Sequence, residues 1–318
     1  MSIHHLHSMT NRAASSARAK GPLILSLVVC LCFSRGLEAA DNQSHSTLTA
    51  AQIVERHVAA RGGLQAWRTL QTMSLTGKMD AGSGDSAART AKLARSAMAA
   101  NGKPGAHAAA PSAPAADKSD AGQQVQLPFT LDMKRPNKSR LEIVFAGKTA
   151  VQVYDGTHGW KLRPYLNRND AEPFTAAEAK SEAGKDDMEG PLVDYAAKGT
   201  KVELAGREPV EGHDAYKLKL TRKNGDIRYV WIDVQSFLDV KVEGIPRRMD
   251  GKLRNVWVYQ RDFRSVQGLM IPFVCETAVE GYPQTHKLTI QSVVLNRGLD
   301  DARFTKSQML VAGISAPK

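Results

Sequence analysis

Apolar and polar residues alternate along most of the chain from Gly122 almost to the C-terminus. This period of two puts successive side chains on opposite faces of a strand, so that one face can be buried and the other solvated. The segments with this pattern are LPFTLDMKR, SRLEIVF, AVQVYD, GWKLR, KVELAG, AYKLKLT, IRYVWID, LDVKVEG, NVWVYQRDF, MIPFVCETAV and HKLTIQSVVL. Short polar connections such as Arg135-Pro136-Asn137-Lys138 are typical of antiparallel hairpins. The pattern predicts a mainly β protein with one large antiparallel sheet of ten or eleven strands that curls.

The Asn224-Gly225 pair predicts the register of one hairpin. A two-residue Asn-Gly turn would pair Lys223 with Asp226, which fixes the face of every residue in the two flanking strands. Lys217, Lys219 and Arg228 would then share the polar face. The opposite, apolar face would carry Tyr216, Leu218, Leu220, Tyr229 and Trp231.

Helix signals occur at two places, and both helices are available to cover the apolar face of the sheet. Thr49 and Gln52 have capping-box spacing before an amphipathic run, which predicts a helix over residues 50–61 that ends at Gly62-Gly63. The following LQAWRTL predicts a short second helical turn that packs Trp67 and Leu70 against the body. Within the polar interruption at residues 172–195, Thr175 can cap a helix over AAEAKSEA.

The N-terminal segment is typical of a secretory signal peptide, which we assign to residues 1–40. Its apolar run PLILSLVVCLCF is shorter than the roughly 20 residues of a membrane span. Cleavage would remove Cys30 and Cys32 and leave Cys275 alone, so no internal disulfide is expected. Residues 41–318 are then one exported, soluble and monomeric domain, with Cys275 as a small core residue.

An alanine-rich stretch interrupts the domain, with 16 alanines among residues 81–121. Few of its residues are large and apolar, so residues 81–122 are interpreted as a flexible insertion. The chain is basic, with a formal net charge of +11. Because the chain is predicted to be exported, we expect acidic polysaccharide or an anionic membrane surface as a partner rather than nucleic acid. Its charges form no run of five or more of one sign, so the basic residues also fit a role in solubility alone; transient contact with an anionic membrane surface or envelope proteins stays open.

The chain contains no recognisable catalytic motif. The stretch VYDGTHGW puts Asp155, Thr157, His158 and Trp160 close together, but Gly156 and Gly159 favour a turn between two strands. No G-x-S-x-G, His-Glu-x-x-His or glycine-rich phosphate loop occurs. We therefore predict no catalytic residue, no metal site and no cofactor, and we interpret His57 as an ordinary helix-face histidine.

The order of the motifs resembles the exported LolA-like family, which is related to outer-membrane lipoprotein-sorting carriers. The motifs are RGG-LQAW after a helix, LDMKRPNKSRLEIVF, VQVYDGTHGW, NGDIRYVWID, GLMIPF and LDDARF. The resemblance covers most of residues 49–304 apart from the insertion. It implies a half-open β-barrel covered by helices, an apolar cavity for acyl chains and no enzyme activity. The sorting carriers use a buried arginine, and no position of this sequence is matched to it.

Three functional hypotheses follow. The first is a periplasmic carrier or binding protein that holds acyl chains of a lipid or lipoprotein. Its expected cavity residues are Trp160, Tyr216, Leu218, Leu220, Tyr229 and Trp231. The same alternating pattern is typical of packed core residues, so that alternative stays open. The second is an envelope sensing or protein-interaction module on the same fold. The third is an envelope lipid or ester hydrolase, which would require two or more of His57, His158, His213 and His286 to converge in a cleft.

Overall fold

The dominant feature of the protein is a single antiparallel sheet of thirteen strands. A computed structural model describes residues 48–80 and 125–312; the predicted signal peptide (1–40) and insertion (81–122) lie outside the described residues. The sheet contains β1 (Thr72–Asp80), β2 (Gln126–Lys134), β3 (Lys138–Phe145), β4 (Lys148–Tyr154), β5 (Gly159–Arg163), β6 (Arg168–Pro173), β7 (Lys201–Val210), β8 (His213–Thr221), β9 (Ile227–Asp233), β10 (Asp239–Glu243), β13 (Val256–Val266), β14 (Leu269–Val279) and β15 (Tyr282–Leu295). A separate hairpin pairs β11 (Arg247–Met249) with β12 (Lys252–Arg254).

The strand order places the first and last strands side by side at the centre. The order is β6-β5-β4-β3-β2-β1-β15-β14-β13-β10-β9-β8-β7, and Met73 of β1 lies opposite Leu295 of β15. The two edge strands, β6 and β7, are not paired with each other, so the sheet is not closed. The predicted fold class is therefore confirmed: a large antiparallel sheet that forms a half-open barrel and carries a few helices.

Four α-helices accompany the sheet among the described residues. They are α1 (Ala50–Ala60), α2 (Leu64–Thr69), α3 (Ala176–Ala183) and α4 (Ser307–Ala312), with 3-10 turns at Pro164–Leu166 and Asp301–Phe304. The capping box predicted at Thr49 is present, and a second one forms at Thr175. Trp67 and Leu70 are buried as predicted. None of the helices in the described part of the chain is both long and apolar enough to cross a membrane.

The apolar core lies mainly on the inner face of the sheet, which is the face that α1 covers. Ile53 and Val54 of α1 pack on β8 and β9, where Leu218 and Ile232 are fully buried. A larger cluster around Trp67 and Leu75 occupies the centre of the same face. On the outer face, the C-terminal residues Leu299, Phe304 and Met309 cover Val151, Val153 and Leu162 of β4 and β5.

The predicted register of the hairpin between β8 and β9 is wrong by one residue. Thr221 lies opposite Ile227, and the Gly225 N–H donates to the Arg222 carbonyl oxygen (2.9 Å), so three residues form the loop. Gly225 has φ +87°, the left-handed conformation that follows a type I turn in a three-residue hairpin loop. A slip of one residue moves every side chain of β9 to the other face.

The slip exchanges the predicted faces of β9. Leu218 now lies opposite Val230, and Val230 and Ile232 join Leu218 and Leu220 in the inner core. Arg228 also turns to the inner face, opposite Leu220. The inner face therefore carries an arginine that the predicted register placed on the polar side, whereas Tyr229 and Trp231 lie on the outer face with Lys217 and Lys219.

The connection between β6 and β7 joins the two edges of the open sheet. Because these strands lie at opposite ends of the strand order, residues 174–200 run from one edge to the other. This connection contains α3 and then residues 184–200, which we call the strap. Leu192 and Val193 of the strap are each 1% exposed and pack into the two inner clusters. The strap thus crosses the inner face.

Candidate ligand-binding cavity

A cavity of about 390 Å³ lies on the inner face and is partly open to solvent. Apolar side chains from strands far apart in the sheet line it, including Met73 and Leu75 of β1, Val242 of β10 and Ile271 of β14. Strands separated by several neighbours can face one cavity because the sheet curls around it. The apolar part of the lining is well suited to hydrocarbon.

A second cavity of about 360 Å³ adjoins the first on the side of β2 to β4. Phe129, Leu131, Leu141 and Leu288 contribute to its lining, as does Phe174 just after β6. Both cavities are lined by Met133, by Arg247 and by residues 185–188 of the strap. The inner face therefore offers two adjacent apolar spaces, with the strap at the point where they meet.

Ion pairs fasten the strap to both halves of the sheet and to α2. Arg135, which follows β2, donates to the carboxylate of Glu189 (2.8 Å), and Lys198 within the strap lies 2.7 Å from the same residue. Asp186 pairs with Arg222 at the end of β8, and Asp194 with Arg68 of α2. Glu189 is only 4% exposed; burial opposes its ionisation, but Lys198 and Arg135 outweigh that effect and lower the pKa of Glu189.

Helix α3 is anchored to the inner face next to the strap. The Lys161 ammonium of β5 lies 2.5 Å from the Glu178 carboxylate, and Ser139 of β3 donates to Glu182 (2.9 Å). Burial raises the pKa of Glu178, but Lys161 and the N-terminal cap at Thr175 more than offset this and lower it from 4.5 to about 2. The prediction that the helices near residues 50 and 176 cover the sheet is confirmed by their packing.

A buried polar cluster lies at the α1 end of the first cavity. Arg61, which caps α1, donates from Nη1 to Asp239 Oδ2 (2.7 Å) and from Nε to the Met270 carbonyl oxygen (2.9 Å). Its guanidinium lies 4.8 Å from the centre of the Trp67 ring. His57 Nδ1 lies 2.9 Å from the Phe237 carbonyl oxygen, and its Nε2 is 3.8 Å from Asp239. Burial, with a smaller contribution from Arg61, lowers the pKa of His57 despite the attraction of Asp239.

Cys275 lines the first cavity from β14. Burial raises the pKa of its thiol from 9.0 to about 11, so the thiolate is scarce at neutral pH and the side chain behaves as a small apolar group. The sequence predicted a small core residue; the structure instead places Cys275, partly buried, in the wall of the cavity. Among the residues that the structure describes, no group of three or more His, Cys, Asp or Glu side chains is arranged to hold a metal ion.

The six residues predicted to share a cavity are divided among several environments. Leu218 and Leu220 are packed beneath α1, and Tyr216 stacks on Phe237 at the edge of that cluster (6.2 Å between ring centres). Trp160 packs with Val153 and Phe304 on the face covered by the C-terminal segment. The one-residue register slip carries Tyr229 and Trp231 to the outer face. None of the six lines either inner cavity.

Tyr229 and Trp231 instead belong to an aromatic cluster on the outer face. The Lys241 ammonium lies 4.3 Å from the Trp231 ring centre, 5.1 Å from that of Trp257 and 5.6 Å from that of Tyr259. Lys217 lies over Tyr229 and Trp231 on the same side. Trp231 is buried, whereas Tyr229, Trp257 and Tyr259 are partly exposed. Aromatic rings together with cations are common in protein interfaces.

The stretch VYDGTHGW is a hairpin turn between β4 and β5, as predicted. The Asp155 carboxylate accepts the backbone N–H groups of Thr157 (2.8 Å) and His158 (2.6 Å), and the His158 side chain is 71% exposed. The other histidines have separate surroundings: His57 is a buried residue of α1, His213 lies 3.2 Å from Asp233, and His286 is exposed on β15. In the part of the chain that the structure describes, the four histidines have no partner in common.

The cavity residues were missed because their signal is ordinary. Met73, Leu75, Met133 and Ile290 alternate with polar residues as any half-buried strand does, and the pattern does not separate packed from open positions. Arg61 follows a helix next to two glycines, a position that suggests a C-terminal cap and gives no hint of burial. The strap could have been found, because a long connection between two runs of strands must lie across some part of the sheet.

Comparisons with known proteins find likeness of fold without likeness of sequence. No protein-family model matches the chain, and no curated protein matches it. Among solved structures, a LolA superfamily protein from Nitrosomonas europaea is 15% identical, with a TM-score of 0.49, and covers 82% of this chain and 100% of its own.

Two further structures have similar values. A DUF1329 family protein from Desulfovibrio piger is 14% identical and has a TM-score of 0.48; the match covers 82% of this chain and 99% of that protein. A domain from Vibrio parahaemolyticus, named for outer membrane lipoprotein sorting, is 12% identical and has a TM-score of 0.47; the match covers 82% of this chain and 98% of that domain. The solved structures that are similar to this chain thus include a LolA superfamily protein and a domain named for outer membrane lipoprotein sorting.

Proposed function

We propose that this protein is a non-catalytic carrier or binding protein that holds the acyl chains of a lipid or lipoprotein between the curled sheet and the strap. The observation that supports the proposal is the pair of adjoining apolar cavities on the inner face, of about 390 and 360 Å³. Each is within the usual range for ligand pockets, roughly 300–1,000 Å³. An acyl chain needs no directional partner, so apolar walls are sufficient.

The hydrophobic effect is large enough for such binding. Each CH₂ group removed from water contributes about 0.8 kcal/mol, so a chain of about 16 carbons gains on the order of 10 kcal/mol before ordering costs are subtracted. The methionines that line the two cavities, including Met73, Met79 and Met133, are flexible and adapt to ligands of irregular shape. Binding would then require neither a metal nor a covalent intermediate.

The proposal includes the compartment. The signal peptide predicted at residues 1–40 would deliver the domain to the periplasm, where lipoprotein transport between membranes requires carriers that shield acyl chains from water. The described residues form the domain that would act there as a monomer, with transient contacts to the anionic membrane surface or to envelope proteins. The compartment is tested separately, by following whether the full-length chain is processed and exported.

The first experiment is to purify the protein from a lipid-containing host and to extract it for mass spectrometry, beside an unfolded control. We expect stoichiometric phospholipid or acylated peptide. Met133→Trp fills the space where the two cavities meet and should reduce the bound lipid severalfold. Val294→Trp is the matched control, because Val294 is 44% exposed and lies opposite Ser74 on the other face of the sheet. A clean wild-type protein that refuses fatty acids would contradict the proposal.

The outer-face aromatic cluster supports a second candidate, an envelope sensing or protein-interaction module. Trp257 and Tyr259 are only partly buried there, and both lie close to the Lys241 ammonium. This candidate predicts a protein that purifies without lipid and captures a defined envelope partner, and Trp257→Ala should abolish the capture. If lipid is present and Trp257→Ala has no effect on any interaction, the carrier remains and the second candidate fails.

A further inference from the structure

Arg228 is a buried cation at the first cavity with little to bind in the protein. It lies on the inner face of β9 and is 9% exposed. Its Nη2 donates to the Gly184 carbonyl oxygen in a long hydrogen bond of 3.4 Å. Within the described residues, no carboxylate oxygen lies within 4.0 Å of its guanidinium nitrogens. Since a guanidinium has five N–H donors, most of the hydrogen-bonding capacity of Arg228 is unused by these residues.

A second arginine stands at the same opening. Arg247 is the first residue of β11, it is exposed, and it lines both cavities. It too has no carboxylate within 4.0 Å among residues 48–80 and 125–312. Lys185 of the strap also lines both cavities, but its ammonium lies 2.6 Å from Glu182 and is thereby neutralised. Arg228, which is buried, and Arg247, which is exposed, thus both line the first cavity.

The acidic groups at the opening are occupied by other partners. Asp186 pairs with Arg222 and also attracts Arg228 over a longer distance. Asp187 pairs with Lys198 (3.3 Å), and Glu243 accepts the Tyr229 backbone N–H (3.0 Å). The two remaining carboxylates that line the cavity are bound as described above: Glu189 by Arg135 and Lys198, and Asp239 by Arg61. A backbone N–H does not neutralise Glu243, which also attracts Arg228. Counted with the partners named above, seven cations and six carboxylates of the described chain surround the first cavity, so the excess is one positive charge.

We propose that the ligand is an anionic amphiphile whose phosphate or carboxylate group binds Arg228 and Arg247 while its chain occupies the adjoining apolar cavities. This inference rests on the carrier function proposed above and names the chemical class of its ligand. Two arginines without a carboxylate partner among the described residues line the same cavity as apolar side chains, which matches a molecule with one charged end. Arginine is suited to the task because its fork donates two parallel hydrogen bonds to a carboxylate or phosphate.

The test compares three ligands that share one C16 chain: hexadecyl phosphate, hexadecanoate and hexadecanol. Each displaces a fluorescent fatty alcohol from the delipidated full-length protein. Charge-assisted hydrogen bonds contribute roughly 1.5–3 kcal/mol, so we expect the two anions to bind about tenfold or more tightly than the alcohol. Inorganic phosphate at millimolar concentration should not bind detectably, because it lacks the chain.

Single variants test whether the two arginines cause the preference for anionic ligands. Arg247→Met should remove most of the preference for the anions, because it should weaken the binding of hexadecyl phosphate and hexadecanoate much more than that of hexadecanol. Arg248→Met is the matched control on the same hairpin, because Arg248 donates to the Gly251 carbonyl oxygen (2.8 Å) and lines neither cavity. Arg228→Met should have the same effect as Arg247→Met. If it fails to fold, Arg228→Lys, which keeps the charge but loses the fork, should retain only part of the preference.

The outcomes separate the two proposals. Equal binding of all three ligands by the wild type would overturn the anionic-headgroup inference and leave the carrier function standing. Failure of all three to bind would contradict both. Tight binding of inorganic phosphate alone would indicate a free-anion site and would also overturn the inference. A preference for anions that persists in Arg247→Met and in the Arg228 variant would assign the recognition to other residues and refute this site.

Discussion

The pair formed by Arg61 and Asp239 provides a strong test of how the inner face is built. Their side chains are 7% and 3% exposed, and Nη1 of Arg61 donates to Asp239 Oδ2 at 2.7 Å. Asp239→Ala removes the acceptor and leaves the guanidinium in a site with little access to water. Loss of one partner of a buried ion pair costs about 3–5 kcal/mol, because the remaining charge stays desolvated. We expect a loss of that size in the free energy of unfolding.

Urea denaturation followed by circular dichroism measures this loss. With a slope of roughly 3 kcal/mol per molar urea, the midpoint should fall by about 1–2 M. Asp214→Ala is the matched control: Asp214 also pairs with an arginine, Arg207, in the same sheet, but their side chains are 53% and 51% exposed. Exposed pairs contribute little, so this variant should keep the wild-type midpoint.

The double variant Arg61→Met, Asp239→Leu distinguishes an unpaired charge from a loss of packing. It removes both charges together and should recover much of the stability that Asp239→Ala loses. If Asp239→Ala lowers the free energy of unfolding by less than about 1 kcal/mol, as loss of an exposed pair would, then water reaches the pair. The description of a buried polar cluster at the α1 end of the first cavity would then be wrong.

Three further predictions concern other parts of the inner face and its edge. Burial lowers the pKa of His57, so the neutral imidazole stabilises the fold above the pKa of the unfolded state, near 6.5, and this stability is lost as the pH falls below that value. The urea midpoints at pH 7 and pH 5 should therefore differ less in His57→Asn than in the wild type. Because burial raises the pKa of Cys275 to about 11, iodoacetamide at pH 8 should alkylate it more slowly in the folded protein than in urea. Bound hexadecanoate should slow this alkylation further. An unchanged rate with hexadecanoate would place its hydrocarbon chain outside the cavity that Cys275 lines. Gly159→Ala would put a Cβ atom 1.9 Å from the Phe174 ring and should cost about 1–3 kcal/mol in the urea assay, with partial recovery in Gly159→Ala, Phe174→Leu.

The sequence was a good guide to local structure where a residue pattern has one physical cause. The capping-box spacing at Thr49 and the N-cap residue Thr175 identified α1 and α3 because side-chain caps bond to nearby backbone groups. Strand β6, with the sequence RNDAEP, was missed. It is an edge strand with little buried surface, so its sequence lacks the alternation that marks the others.

The candidate site was harder to predict because it depends on a single turn and on distant contacts. The sequence KNGD permits both a two-residue and a three-residue loop, and the choice decides whether Arg228 or Tyr229 faces inward. No residue near the turn favours one loop length over the other. The longer loop is the one that places Val230, instead of Trp231, in the inner core around Leu218 and Ile232. Cavity volume likewise arises from the curl of the whole sheet and has no counterpart in any short segment.

The pairing of β1 with β15 has a consequence for how the chain folds. These strands are the first and the last of the sheet, yet they are neighbours at its centre. Closing so long a loop carries an entropic cost, and folds with many distant contacts form slowly. Until β15 is in place, β1 keeps an unpaired edge beside an apolar face, which is a template for aggregation. A chain that lacks its last strand would therefore keep β1 and β14 as unpaired edges of two half-sheets, and the time before β15 pairs with β1 is when the chain is most exposed to aggregation.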